Sequence, residues 1–219
     1  MTAPRRALIV VDVQQEYFGD ALEIQYPPHA SSLPRITESI DAATAAGIPV
    51  VVFQHSAGDD APVFNPTTDA FSLHPEIERR RSSTWKAVTK RYSSVFADTD
   101  LLDWVRANEI DTITLVGYMT NNCIIASAAA AEPLELQVEV LSDATGAISI
   151  ANAAGVVDGE TVHTTLMALL QSNFAAVETT ASWTSAIAEG SPLAKDNLPT
   201  SAAAGAKHFA PAEPLVQAL

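Results

Sequence analysis

Cysteine is almost missing from this 219-residue chain: Cys123 is the only one. One thiol cannot form an intrachain disulfide or supply a thiolate-rich zinc site, so a disulfide scaffold and a zinc finger are both excluded. Cations are also scarce, with 12 Lys and Arg against 26 Asp and Glu, for a formal charge of −14. Phosphate backbones are held by clustered Lys and Arg, and nucleic acid is therefore not an expected partner. No run of about 18 apolar residues, the length a membrane helix needs, occurs anywhere. Arg5 and Arg6 do precede an apolar stretch, but Asp12 interrupts it and no small-residue cleavage site follows. That stretch reads as a strand rather than a secretory signal, and the expected location is cytoplasmic, without membrane partners.

What is present suffices for one core. Hydrophobic residues make up 47% of the sequence, and the length fits a single α/β domain, with no internal repeat and no second core. Short runs rich in Val and Ile recur at residues 7–11, 48–53, 113–116 and 138–141, with a weaker one at 174–177 and a sixth candidate at 85–90. Segments of helical spacing lie between them at 33–46, 101–108, 122–131 and 161–172. Alternation of this kind requires crossover connections and predicts an open, mostly parallel sheet with helices on both faces. Residues 56–84, with Pro62, Pro66 and Pro75, read as a long surface excursion of the sort that carries function. Residues 1–189 form the expected domain. Residues 190–219, rich in Ala, Pro and Ser and without a clear period, form a tail that is a candidate for packing on a neighbouring subunit.

In open parallel sheets, ligands bind outside the carboxyl ends of the strands, near the point where strand order reverses. Three residues of the right chemistry sit there. Asp12 closes the first strand, Lys90 closes the third, and Cys123 opens the helix after the fourth. Taken singly, each has an ordinary explanation: a buried apolar cysteine, a capping carboxylate, a solvated strand end. Taken together, they provide a nucleophile, a proton acceptor and a positive charge for a thiolate, which the helix N-terminus would also favour. Among the five histidines, His29, His55, His74, His163 and His208, only His55 ends a strand on this edge, where it is a substrate contact rather than the base.

Three motifs then carry a resemblance. Ala7-Leu8-Ile9-Val10-Val11-Asp12-Val13-Gln14-Gln15-Glu16-Tyr17-Phe18, the segment from Lys90 to Leu101 with its Ser, Phe and Thr, and Gly117-Tyr118-Met119-Thr120-Asn121-Asn122-Cys123-Ile124 are similar to the motifs of the isochorismatase-like cysteine hydrolases, over residues 7–183. That superfamily includes nicotinamidases and N-carbamoylsarcosine amidases. The resemblance implies a six-stranded sheet, an Asp12–Lys90–Cys123 triad, and a cis peptide between Tyr118 and Met119 that aims an N–H at an oxyanion. Met119 and Cys123 are the candidate backbone donors of that oxyanion hole, and Tyr17, His55, Tyr92 and Tyr118 are candidates for the pocket wall.

The expected reaction is hydrolysis of a small amide-like substrate through a thioester. Nicotinamidases generally carry an Asp and two His as metal ligands after the second strand, whereas this chain reads Phe53-Gln54-His55-Ser56, and His55 with His74 does not reproduce the spacing. No metal or other cofactor is therefore expected, and a homo-oligomer is. Two alternatives stay open: a vinyl-ether hydrolase of the isochorismatase type, and a non-catalytic binding or redox-sensing protein on the same fold.

Overall fold

Buried β-branched runs and the helical segments between them define the architecture. The computed structural model describes residues 3–209. In chain order the elements are β1 (Arg6–Val11), α1 (His29–Ala45), β2 (Val50–His55), α2 (Pro75–Glu78), β3 (Lys86–Lys90), α3 (Leu101–Ala107), β4 (Thr112–Tyr118), α4 (Ile125–Ala131), β5 (Gln137–Gly146), β6 (Ile150–Asn152), β7 (Gly155–Val157), α5 (Gly159–Leu169), β8 (Ala176–Glu178), α6 (Thr180–Glu189) and α7 (Leu198–His208). Six strands form one sheet in the order β3-β2-β1-β4-β5-β8, every neighbouring pair parallel, while β6 and β7 make a separate antiparallel hairpin.

The period of two along each strand divides the core. Ala7, Ile9 and Val11 of β1 pack with Phe53, Leu115, Val105 and Ala128, while Leu8 and Val10 pack on the opposite face with Ile36, Ile40 and Trp183. β1, β2, β4 and β5 are buried on both faces, which is why they read as continuous apolar runs. The second face also holds a buried ion pair, Arg6 on Glu139 at 2.8 Å, in which Glu139 further accepts from Thr114 at 2.7 Å and from the Trp183 indole at 2.9 Å. With these partners present, the two charges are compensated in the interior.

Several expected boundaries move. Helix α1 starts at His29, a turn ahead of the expected 33, with Pro34 inside it. A wide turn with i→i+5 bonds occupies Thr120–Ile124 ahead of α4. The tail was expected to lack regular structure, yet it contains α7, entered through an Asn197 cap on Thr200. Gln171 and Lys195 tie the approach to α7 onto its own chain, through the carbonyls of Ala194 and Asn173. The end of the expected tail, 210–219, lies outside the described residues. No described helix is long and apolar enough to cross a membrane.

Candidate active site

Strand order reverses between β1 and β4, the two strands at the centre of the sheet. Val11 is level with both Phe53 and Gly117, which places Asp12 beside the turn that carries Cys123. Asp12 is fully buried and adopts φ +50°, a left-handed conformation that Asp tolerates better than most residues. Its N–H donates to the Phe53 carbonyl at 3.1 Å, and its own carbonyl accepts from the Gln14 N–H at 2.8 Å. Gln14 then clamps β2 to β1: its Nε2 donates to the carbonyls of His55 (3.1 Å) and Phe71 (2.9 Å), and its Oε1 accepts the His55 N–H at 2.7 Å. Gln14 stood in the first motif without an assigned duty, and this clamp is that duty.

Lys90 is the last residue of β3, from which its long stem reaches over β2. Its Nζ is 2.7 Å from Asp12 Oδ2, 3.2 Å from Cys123 Sγ, 3.2 Å from the Tyr92 carbonyl and 3.4 Å from His55 Nδ1. Asp12, Lys90 and Cys123 are therefore brought together, each at most 2% exposed. The Tyr118–Met119 peptide that enters the turn carrying Cys123 is cis.

The electrostatics depart from a simple thiolate site. Burial, and after it the negative charge of Asp12, push the Cys123 thiol up to about 12, against the opposing pull of Lys90. The free protein thus holds a protonated thiol, not the thiolate that the helix terminus and Lys90 alone would favour. Asp12 is the group equipped to relieve it. Among the described residues neither Asp12 oxygen accepts a hydrogen bond of good geometry, although Lys90 stands at ion-pair distance, so the carboxylate keeps acceptor capacity for a proton.

The four expected wall residues separate. Tyr17 is buried beside the triad, and burial followed by the charges of Asp12 and Cys123 raises its pKa well above the ordinary value. His55 is half-buried, its pKa lowered by burial and then by Lys90, so it is neutral at pH 7 and can accept from Lys90. Tyr118 instead turns into the core, its hydroxyl 2.9 Å from Ser32 Oγ and its ring against Phe18 and Tyr17. Tyr92 is 58% exposed and meets Lys90 only through its carbonyl. Phe64 was not singled out, yet its ring fills the gap between Tyr17 (centroids 5.3 Å apart) and His55 (5.0 Å), and Glu16 holds its backbone N–H. Its signal, an aromatic in a Pro-rich excursion, is too weak to find from sequence. Two surface clefts of about 360 and 320 Å³ lie beside His163 and beside Glu139, away from Asp12, Lys90 and Cys123.

Among the described residues no three His, Cys, Asp or Glu converge as a metal-binding group. His74 caps α2 by accepting the Glu76 N–H, and His29 pairs with Glu23. His163 is the buried histidine, held by desolvation at a pKa of about 4 against an ordinary 6.5. Unfolded chains take up this proton from pH 6.5 downward while the folded protein does not until about 4. Its contribution to stability is therefore complete above pH 6.5 and lost as pH falls through that window, on the order of 2–3 kcal/mol. Urea unfolding of wild type and His163→Gln at pH 7.5 and 4.5 should show the shallower decline in the variant; equal declines would contradict this.

The sequence matches the Isochorismatase domain family over residues 6–182. It is 42% identical to a protein of Burkholderia xenovorans LB400 assigned to the isochorismatases, whose crystal structure aligns with a TM-score of 0.90 over 94% of this chain and 99% of that one. The streptothricin hydrolase of Streptomyces noursei is 30% identical over 156 residues, 71% of this chain and 60% of that protein. The fold is also that of the N-carbamoylsarcosine amidase of Thermoplasma acidophilum, at 24% identity and a TM-score of 0.64 over 80% of this chain and 96% of that one.

Proposed function

The chain belongs to the isochorismatase domain family of hydrolases, and from that premise we propose that it cleaves a C–N bond of a small amide-like substrate, with Cys123 as nucleophile, Asp12 as proton carrier and Lys90 as their shared cation. The carrying observation is Lys90 Nζ, at 2.7 Å from Asp12 and 3.2 Å from Cys123 inside a buried site. Losing the thiol proton to solvent would leave two anions around one cation. Passing it to Asp12 leaves one anion and one cation, as before, so the internal transfer avoids most of the cost that holds the thiol at high pKa.

The sulfur then attacks the carbonyl carbon. The oxyanion is held by the backbone N–H groups of Met119 and Cys123, and Asp12 returns its proton to the departing amine or ammonia, leaving a thioester. Water, deprotonated by Asp12, attacks the thioester and releases the acid, and Cys123 recovers a proton. Tyr17, His55 and Phe64 border the acyl group. A thiol favours amide over vinyl-ether cleavage, because it is needed to form a thioester, whereas an enol ether needs only an acid such as Asp12.

Acid-quenched incubations with a panel of small amides, read by intact mass, test this reading. An acyl adduct on Cys123 that rises and decays with turnover is expected; steady turnover without any adduct would reject it. Lys90→Met should slow iodoacetamide alkylation of the sole cysteine on the order of tenfold at neutral pH, since the developing thiolate loses its counter-charge. An unchanged rate would remove Lys90 from the mechanism.

A further inference from the structure

Behind the nucleophile turn runs a buried line of hydrogen bonds that the chemistry above does not use. Thr120 opens the turn, and its Oγ1 is 3.0 Å from Thr145 Oγ1 on β5 and 3.0 Å from His163 Nδ1 on α5. All three residues are buried. Thr120 thus stands between Thr145 and His163, and its one hydroxyl ties the start of the turn to both β5 and α5.

Thr120 needs such an anchor. It follows Met119, which belongs to neither β4 nor a helix, and the turn from Thr120 to Ile124 closes through i→i+5 bonds, including Ile124 N–H to the Met119 carbonyl at 3.2 Å. Single wide turns of this kind are rare and occur mostly as bulges at functional sites, where the surrounding contacts define them. We infer that His163 is a positioning residue for the nucleophile: through its hydrogen bond with the Thr120 hydroxyl it pins the start of the turn to α5 and β5, and so orients Cys123 and the Met119 peptide toward Asp12 and Lys90. This rests on the reading of Cys123 as nucleophile.

The test follows alkylation of Cys123 by iodoacetamide in the full-length folded protein, by intact mass. His163→Leu removes the hydrogen bond to Thr120, while His163→Asn keeps a polar atom near the position of Nδ1. His163→Leu should slow alkylation about three- to tenfold, the worth of one hydrogen bond, and His163→Asn should recover most of it. Thr120→Val, which conserves volume, should reproduce His163→Leu, Thr120→Ser should lie near wild type, and the Thr120→Val/His163→Leu double variant should be no slower than either single one. Should His163→Leu fail to fold, the Thr120 pair decides. A merely structural role lowers melting temperatures but leaves the rates of the folded variants equal, and equal rates overturn the positioning role while the nucleophile reading stands. Amide turnover that Cys123→Ala retains overturns the nucleophile reading, and this inference with it.

Discussion

Cys123→Ala is expected to yield a folded protein with no amide turnover. The substitution deletes one sulfur from a side chain that is 2% exposed, so the packing loss is small, about 1 kcal/mol, but no thioester can form. Cys123→Ser should be almost as inactive, because a hydroxyl is far harder to ionise than a thiol. Asp12→Asn fails differently. It forfeits both proton transfers, worth about 10²- to 10⁴-fold, and it leaves the buried Lys90 ammonium without its partner at 2.7 Å, which costs about 3–5 kcal/mol of stability. Turnover and thermal melting measured on both variants therefore separate them, one inactive and stable, the other inactive and destabilised. Cys123→Ala with most of its activity, alongside inactive Asp12→Asn, would transfer the chemistry to Asp12 alone and favour a vinyl-ether substrate.

Gly117→Ala should be the most damaging single methyl group in the molecule. A Cβ at this position would lie 2.1 Å from the Val11 carbonyl oxygen and 2.9 Å from the Val11 backbone carbon and nitrogen, and Gly117 has φ +105°, where side chains are strained. Val11 is held in the parallel ladder on both sides, so it cannot give way. The combined clash and strain should exceed about 4 kcal/mol and lower Tm by roughly 10 °C or more, or prevent folding. Gly205→Ala, on an open face of α7 with nothing within 4 Å, is the control and should be neutral or slightly stabilising. Comparable melting of the two variants would show that the close approach of β4 to β1 is dispensable.

The sheet was legible in sequence because β1, β2, β4 and β5 are buried on both faces, and their runs needed no partner to be recognised. β3 was harder: it is an edge strand with alternating exposure, and its last residue, Lys90, is buried for the sake of the site rather than the core. The convergence of Asp12, Lys90 and Cys123 was legible from position, with Asp12 just past β1, Lys90 ending β3 and Cys123 in the turn after β4. Their electrostatic state was not, since burial decides that the thiol stays protonated and burial is not a local property. Helix α6 escaped notice although its Thr179 cap and Gly190 terminus are present in sequence. Helix α7 buries no residue, so it has no amphipathic period to read, and only Asn197 and Pro199 mark its start. The Arg6–Glu139 pair joins strands 133 residues apart and has no sequence signature.

The order β3-β2-β1-β4 has a consequence for how activity arises on the folding pathway. Asp12, Lys90 and Cys123 come from three strand ends, and Lys90 with Cys123 are joined by a contact across 33 residues while Val11 and Gly117 pair across more than a hundred. Such non-local pairings form late, after the loops between them have been closed at an entropic cost. No single supersecondary unit of this chain contains the site. A nascent or half-folded molecule therefore carries Cys123 without Asp12 and Lys90 beside it, and the three meet only when the centre of the sheet has closed.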